Sequence, residues 1–251
     1  MVVFTGNVTG YLGGLSDFLA SLGSSTDAVV RPHIAAAEAD IQRLTGTRLE
    51  PTVIKMNPAD DAVYDMEEDT FDFQQRAWLG WPTFKTRWRP IISVERVAVE
   101  YGQDQGLISI PSTYVRMRKK TGRVSLVPSG AGAAVTVGSG YTLLTFLGGA
   151  HRQGLVPQMV AIDYTAGVRE IGENPEYADL LECVAQEAAQ RVLGAAMHGV
   201  SQGSTSISMD GLSESVDVSG LERRQKSLQD AVTLFIKGWN QTMRSPRMKV
   251  I

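Results

Sequence analysis

Apolar positions recur with a helical period in the N-terminal part of the chain. Residues 15–22 place four apolar side chains on one face and are followed by Gly23, which predicts a short helix. A second apolar series with a period of 3.6 residues ends before Gly46, where a helix C-cap favours glycine. Pro32 cannot donate a backbone hydrogen bond, so we expect this helix to begin near Arg31 or to bend there. Its predicted apolar face consists of Val30, Ile34, Ala37, Ile41 and Leu44.

The C-terminal part predicts a long helix, an arm and a final helix. Asn174-Pro175-Glu176 is a start signal, because asparagine caps the first turn, proline fits it and glutamate suits the helix dipole. We expect that helix to close at His198-Gly199. Residues 200–220 contain seven serines and little periodicity, which predicts an extended arm. Residues 221–243 return to a helical, heptad-like pattern. The apolar face of the long helix is predicted to be Tyr177, Leu180, Leu181, Val184, Ala188 and Val192.

The middle of the chain has the pattern of β-strands. Residues 91–101 are rich in β-formers, with a slip in phase near Glu95 that indicates a bulge. Two strand-like runs flank residues 119–122, Lys-Lys-Thr-Gly, which predicts a hairpin. Residues 160–165 alternate apolar and more polar side chains, which is typical of a strand buried on one face. Residues 57–89, rich in acids and aromatics, are expected to form a long, partly extended segment whose aromatic rings pack against the rest of the protein.

These patterns predict an α+β fold, a small helical bundle with an inserted antiparallel β-rich segment and an extended C-terminal arm ending in a helix. The predicted boundaries are 1–56 for the N-terminal helices of the bundle and 57–168 for the inserted acidic, aromatic and β-rich segment. A long bundle helix is assigned to 169–199, and the arm with its basic helix to 200–251.

Charge is unevenly distributed along the 251 residues. The formal net charge is −3, yet residues 221–251 carry seven basic and two acidic residues, and residues 1–220 carry 17 basic and 25 acidic ones. An acidic body with a basic tail suggests that the tail meets an acidic partner or nucleic acid. No run of about 18 apolar residues is present, so we expect no membrane span.

The sequence completes no catalytic or metal-binding motif. Residues 199–203 match G-x-S-x-G, but a nucleophile elbow needs a strand before Ser201, a helix after it and a histidine further downstream. His33, His151 and His198 lack zinc-site spacing, and the acids of 60–72 lack the pattern of a calcium loop. We therefore expect no enzyme activity, no cofactor and no metal. Cys183, the single cysteine, is predicted to be a buried small residue.

Three local patterns, taken in their order, resemble the head-to-tail connector (portal adaptor) family of tailed bacteriophages. They are residues 27–46, with an acidic turn, an alanine-rich helix and a terminal glycine; residues 89–97, similar to the strand that opens the family's β insertion; and residues 160–167, similar to its closing strand. Residues 206–215 are more weakly similar to an extended arm. The resemblance implies a structural virion neck protein, assembled in the host cytoplasm as a homo-oligomeric ring, by expectation dodecameric. Such a ring docks on the portal protein, extends the DNA channel and offers a platform to stopper or tail proteins.

Under this interpretation the C-terminal arm is the portal-docking device. Burying its apolar side chains contributes on the order of 8–15 kcal/mol. Ordering some thirty residues costs roughly 1–2 kcal/mol each, so we expect an arm that is mobile until a partner adds contacts. The alternative is that Phe235 and Trp239 pack on this chain's own core. The predicted docking residues are Leu228, Val232, Phe235, Trp239, Arg244, Arg247 and Lys249.

Other functions stay open at this point. The nearest is another neck or tail-completion ring protein or stopper, and a second is a DNA-binding packaging accessory that uses the basic tail. A hydrolase acting through Ser201 is a third. Genomic DNA is expected to pass through the ring without sequence-specific binding, and no membrane partner is expected.

Overall fold

The computed structural model describes residues 8–12, 26–74, 82–100, 106–127, 155–201 and 218–242. The chain divides into a helical unit, residues 1–49 and 170–251, and a β unit, residues 50–169. The predicted α+β class is confirmed. In sequence, the β unit is inserted between the two segments that build the helical unit. Residues 52–56, which the sequence pattern assigns to the N-terminal helices, instead form a strand of the β unit.

Within the described residues, the helical unit contains four α-helices. They are α1 (Thr9–Leu12), α2 (Thr26–Thr45), α3 (Ala178–Ser201) and α4 (Val218–Thr242). Helix α2 begins at Thr26 and not near Arg31, so Pro32 lies inside the helix. Gly46 ends this helix as predicted, with φ of 64° and its N–H donating to the carbonyl of Gln42 at 2.8 Å. The helix predicted over 15–22 lies outside the described residues.

Helix α3 starts where the sequence predicts and forms the centre of the helical unit. The Asn174 side chain accepts a hydrogen bond from the N–H of Glu176 at 3.1 Å, and a 3₁₀ turn, Pro175–Tyr177, leads into the helix. Arg191 of α3 forms ion pairs with Asp40 of α2 and with Glu187, the latter at 2.8 Å. The predicted apolar face of α3 is buried except for Leu181, which is half-buried. The buried residues of that face are Tyr177, Leu180, Val184, Ala188 and Val192.

The described part of the β unit contains two sheets. A six-stranded sheet has the order β2-β1-β9-β5-β6, with β3 also paired to β9. Its strands are β1 (Thr52–Met56), β2 (Met66–Glu68), β3 (Phe71–Gln74), β5 (Ile91–Glu100), β6 (Gly106–Ser109) and β9 (Leu155–Ala166). A three-stranded antiparallel sheet has the order β4-β8-β7, formed by β4 (Thr83–Lys85), β8 (Arg123–Leu126) and β7 (Val115–Arg118). Only β1 and β2 pair in parallel among the described strands.

Residues 159–164 of strand β9 are buried on both faces, and the prediction of one-sided burial is wrong. Every residue from Met159 to Tyr164 is buried, because β9 lies in the middle of the sheet between β1, β3 and β5. Asp163 tolerates this position because Arg96 donates to it at 2.7 Å. The predicted bulge in β5 is confirmed, since its register with β9 shifts between Val94 and Arg96.

The acidic and aromatic segment contributes β2, β3 and β4 and several core side chains. Phe73 and Trp88 are buried, and the rings of Phe71 and Phe84 lie 5.3 Å apart. The predicted packing is confirmed for Phe71, Phe73, Phe84 and Trp88, whereas Trp78 and Trp81 lie outside the described residues. Tyr64, by contrast, is exposed.

The predicted hairpin is also confirmed. Strands β7 and β8 pair in register from Arg118↔Arg123 to Val115↔Leu126. Gly122 closes the turn with φ of 65°, a left-handed conformation that favours glycine. Its carbonyl accepts a hydrogen bond from the N–H of Thr86 at 2.8 Å, which joins the hairpin turn to the end of β4.

Candidate functional site

The apolar residues predicted to dock on a portal lie on the inner face of α4. Leu228 and Val232 are only 8% and 5% exposed. Phe235 and Trp239 are half-buried, and their rings are stacked at 5.5 Å. The face that the sequence predicts therefore exists, but it packs within the helical unit. Leu234, on the outer side of α4, is 73% exposed.

Specific contacts fix the C-terminal end of α4 in the helical unit. The indole N–H of Trp239 donates to Oγ1 of Thr47 at 3.3 Å, and its ring lies 6.0 Å from that of Tyr177. Asn240 donates to the carbonyl of Leu44 at 3.2 Å. The expectation of a helix without contacts to its own body is thus corrected for residues 218–242. Helices α2 and α3 supply a partner surface for α4 within the chain.

The basic residues of the predicted docking segment follow the last residue of α4 in the sequence. Arg244, Arg247 and Lys249 lie outside the described residues, as does the arm of 202–217 with its resemblance over 206–215. Of the predicted docking set, the structure therefore brings together Leu228, Val232, Phe235 and Trp239 alone. These four residues stabilise the helical unit.

The three-stranded sheet, called the basic sheet below, carries a concentration of positive charge. Its strands and connecting turn, residues 83–87 and 115–126, contain seven basic and no acidic residues in a chain of net charge −3. The basic residues are Lys85, Arg87, Arg116, Arg118, Lys119, Lys120 and Arg123. All are exposed except Arg123, which is half-buried.

Strand pairing places three cations in one row across the basic sheet. Lys85 is directly opposite Arg123, and Arg123 is directly opposite Arg118. Residues directly opposite in antiparallel strands share a face, and like charges in that relation are destabilising. The next row is Thr83, Ser125 and Arg116, and the hydroxyl groups of Thr83 and Ser125 are 2.9 Å apart.

The two faces of the basic sheet have opposite character. Val124 and Leu126 are buried in the core of the β unit, and Phe84 and Val115 pack against that core. Pairing register places the cations on the other face. Within the described residues, no carboxylate forms an ion pair with Lys85, Arg116, Arg118, Lys119 or Arg123. These five cations therefore lack an ion-paired carboxylate in the part of the chain that the structure describes.

The sequence pattern predicts this surface only in part. Arg116 and Arg118 alternate with Val115 and Met117, which predicts one charged face for β7 alone. The row of cations appears only when β4 pairs with β8, and that long-range pairing is not encoded in any local pattern.

Beside β4 lies a cleft of about 470 Å³ that contains acidic residues. Glu68 accepts a hydrogen bond from the Tyr164 hydroxyl at 2.9 Å, while its other carboxyl oxygen is buried without a hydrogen-bond partner. Burial raises the pKa of Glu68, against the opposing influences of the Tyr164 hydrogen bond and the Arg87 charge. Burial and the charge of Glu68 likewise raise the pKa of Tyr164. The cleft is lined by Met56, Glu67, Glu68, Asp69, Phe71, Lys85 and Arg87.

Glu68→Gln should flatten the pH dependence of stability. With a pKa above its ordinary value of 4.5, folded Glu68 retains a proton that the unfolded chain releases. Its contribution to the free energy of unfolding is therefore complete below pH 4.5 and is lost as pH rises through the raised pKa. Urea unfolding from pH 4 to pH 8 should show a smaller decline for Glu68→Gln than for the wild type. The variant Glu67→Gln, at an exposed neighbouring position, should show the same decline as the wild type. If both variants lose stability with pH at the same rate, Glu68 is not the group responsible.

The catalytic and metal-binding candidates are not assembled into a site in the described residues. Gly199, Val200 and Ser201 are the last three residues of α3, and residues 202–203 of the G-x-S-x-G match lie outside the described segments. No group of three or more potential metal ligands among His, Cys, Asp and Glu occurs in the part of the chain that the structure describes. Cys183 is buried as predicted, and burial raises the pKa of its thiol to about 12. His151 lies outside the described residues.

Comparison with known proteins adds no further assignment. No protein-family model matches the chain, and no curated protein matches it either. Among the described helices, none combines the length and the apolar character needed to cross a bilayer.

Proposed function

We propose that this protein is a non-enzymatic structural subunit of a tailed-phage neck, a ring-forming head-to-tail connector located in the virion. It docks on the portal protein, extends the DNA channel and provides the platform for stopper or tail proteins. The observation that carries the proposal is the order of the fold: a β unit, residues 50–169, interrupts a helical unit built from residues 1–49 and 170–251. That order is the one implied by the resemblance of residues 27–46, 89–97 and 160–167 to connector proteins.

The contacts of α4 restrict which residues dock. Leu228 and Val232 are committed to the helical unit, so the docking role moves to the surface of α4 and to the residues that follow it. Residues 243–251 combine Arg244, Arg247 and Lys249 with four apolar side chains and no acid. Cations of this kind accelerate encounter with an acidic partner surface in a salt-dependent manner.

Deleting residues 243–251 should leave the fold intact and remove portal binding. The deletion spares every described contact of α4, so the melting temperature should shift by no more than about 2 °C. Binding to portal particles of the same phage should weaken at least about tenfold, and negative-stain images should lose the ring on the portal. The matched control replaces Arg244, Arg247 and Lys249 by glutamine, which should reduce the salt dependence of binding and retain the apolar contacts. Unchanged portal binding of the deleted chain would exclude this segment as the docking element.

Two alternatives are separated by the same particles. Another neck component, such as a stopper or tail-completion ring, would bind a preassembled connector but not the bare portal. A packaging accessory would bind duplex DNA and neither particle. The basic sheet favours contact with DNA, which is compatible both with a connector around the DNA channel and with a packaging accessory.

A further inference from the structure

We infer that the outer face of the basic sheet is a sequence-independent binding surface for the phosphate backbone of double-stranded DNA. Arg116, Arg118, Lys119 and Arg123 make the contacts. The inference rests on the proposed function only for the source of the DNA, which is the genome that passes through the neck. In solution the binding is a property of the β unit and can be measured without a portal.

The row of like charges is the first reason. Lys85, Arg123 and Arg118 are directly opposite one another on three neighbouring strands, about 4.8 Å apart from strand to strand. Such pairs destabilise a sheet, and no described carboxylate is ion-paired with these residues. An external polyanion would remove the repulsion, and guanidinium groups bind phosphate in a bidentate manner.

The composition of the face distinguishes DNA from a protein partner. Stable protein interfaces have an apolar core with a polar rim. The paired positions on this face, from β4, β8 and β7, are all cationic or hydroxylic, whereas the apolar side chains are on the opposite face. Hydroxyl groups such as those of Thr83 and Ser125 are common additional donors to phosphate oxygens. The outward-facing positions in these registers are Thr83, Lys85, Arg116, Arg118, Arg123 and Ser125.

The absence of aromatic side chains at those positions favours a duplex over a single strand. Single-stranded nucleic acids are bound by stacking their bases on aromatic residues, and sheet surfaces that bind RNA carry such residues. The paired positions of the basic face carry none. A duplex instead presents a dense row of phosphates, about one charge per 1.7 Å of helix axis, which requires cations alone.

The acidic cleft limits where the DNA lies. Glu67, Glu68 and Asp69 line the cleft together with Lys85 and Arg87, so the β4 side of the sheet is partly neutralised. The hairpin β7–β8 and its turn contain five basic residues and no acid. Contacts with phosphate are therefore expected on the hairpin side.

The test is binding of the full chain to a fluorescent 30-base-pair duplex at several salt concentrations. The hairpin variant carries Arg116→Gln, Arg118→Gln, Lys119→Gln and Arg123→Gln. The matched control carries Arg31→Gln, Arg169→Gln, Lys226→Gln and Lys237→Gln, which removes the same charge from exposed positions elsewhere. We expect the hairpin variant to bind about 100-fold more weakly at low salt, with a slope of log Kobs against log salt shallower by about 3. The control should lose less than about threefold, and two unrelated duplex sequences should bind equally.

A single charge reversal separates binding from folding. Arg118→Glu places a carboxylate directly opposite Arg123, so the melting temperature should rise by about 1–3 °C while duplex affinity falls. A destabilised protein cannot produce that combination. The inference is overturned if the wild type does not bind duplex at 50 mM salt, or if both quadruple variants lose equal affinity. It is also overturned if polyglutamate or a second copy of the chain, and not DNA, binds in a hairpin-dependent manner. Loss of portal binding by the hairpin variant is measured separately and bears on the proposed function alone.

Discussion

Val232→Asp should unfold the helical unit at temperatures where the wild type is folded. Val232 is buried where α4 packs in the helical unit, and an aspartate there leaves a carboxylate with no counter-ion at an apolar position. The free energy of unfolding should fall by about 3–5 kcal/mol. Circular dichroism during thermal unfolding measures the change directly.

The matched control is Leu234→Asp, two residues further along α4. Leu234 is 73% exposed, so the same type of substitution should change the free energy of unfolding by less than about 1 kcal/mol. If α4 is instead a mobile arm that orders only on a partner, both variants retain the wild-type melting temperature. That outcome would restore the docking role of Leu228 and Val232.

Arg96→Met should destabilise the β unit by roughly 3 kcal/mol, because it leaves two buried carboxylates without their main cation. Asp163 and Glu100 are 3% and 6% exposed. Arg96 donates to Asp163 at 2.7 Å, forms an ion pair with Glu100, and also donates to the carbonyl of Met56 at 3.2 Å. Other groups compensate only partly: Asn57 donates to Glu100 at 2.8 Å, and the Lys55 ammonium is 3.9 Å from Asp163.

Neutralising the carboxylates tests this cause. Adding Asp163→Asn and Glu100→Gln to Arg96→Met removes the unpaired charges, so most of the lost stability should return, as measured by urea unfolding. Arg169→Met, at an exposed position, is the control for loss of a cation. If the triple variant is as unstable as Arg96→Met alone, packing of the arginine stem and not its charge accounts for the effect.

Local signals in the sequence were sufficient for several features of the fold. The cap at Asn174 ahead of α3, the helix stop at Gly46, the hairpin at Gly122 and the bulge near Glu95 each depend on residues within one turn or one strand. Their physical causes are helix capping, glycine in a left-handed backbone conformation, and a change of phase in the alternation of apolar residues along a strand. All are visible over a few neighbouring residues.

Features that depend on residues far apart in the chain are not predictable from local sequence signals. Burial of Asp163 requires Arg96 from another strand, and the cationic row requires β4 and β8 to pair. The packing of α4 depends on contacts such as the one between Trp239 and Thr47, which lie at opposite ends of the chain. The local pattern of α4 alone therefore predicts a mobile arm, because the surface of the other helices is not part of that pattern.

Native mass spectrometry with and without portal particles of the same phage tests the proposed connector most directly. The account predicts a closed ring of this chain bound to the portal, with a single subunit number in the complex. A chain that stays monomeric at all concentrations and adds no mass to the portal would contradict it.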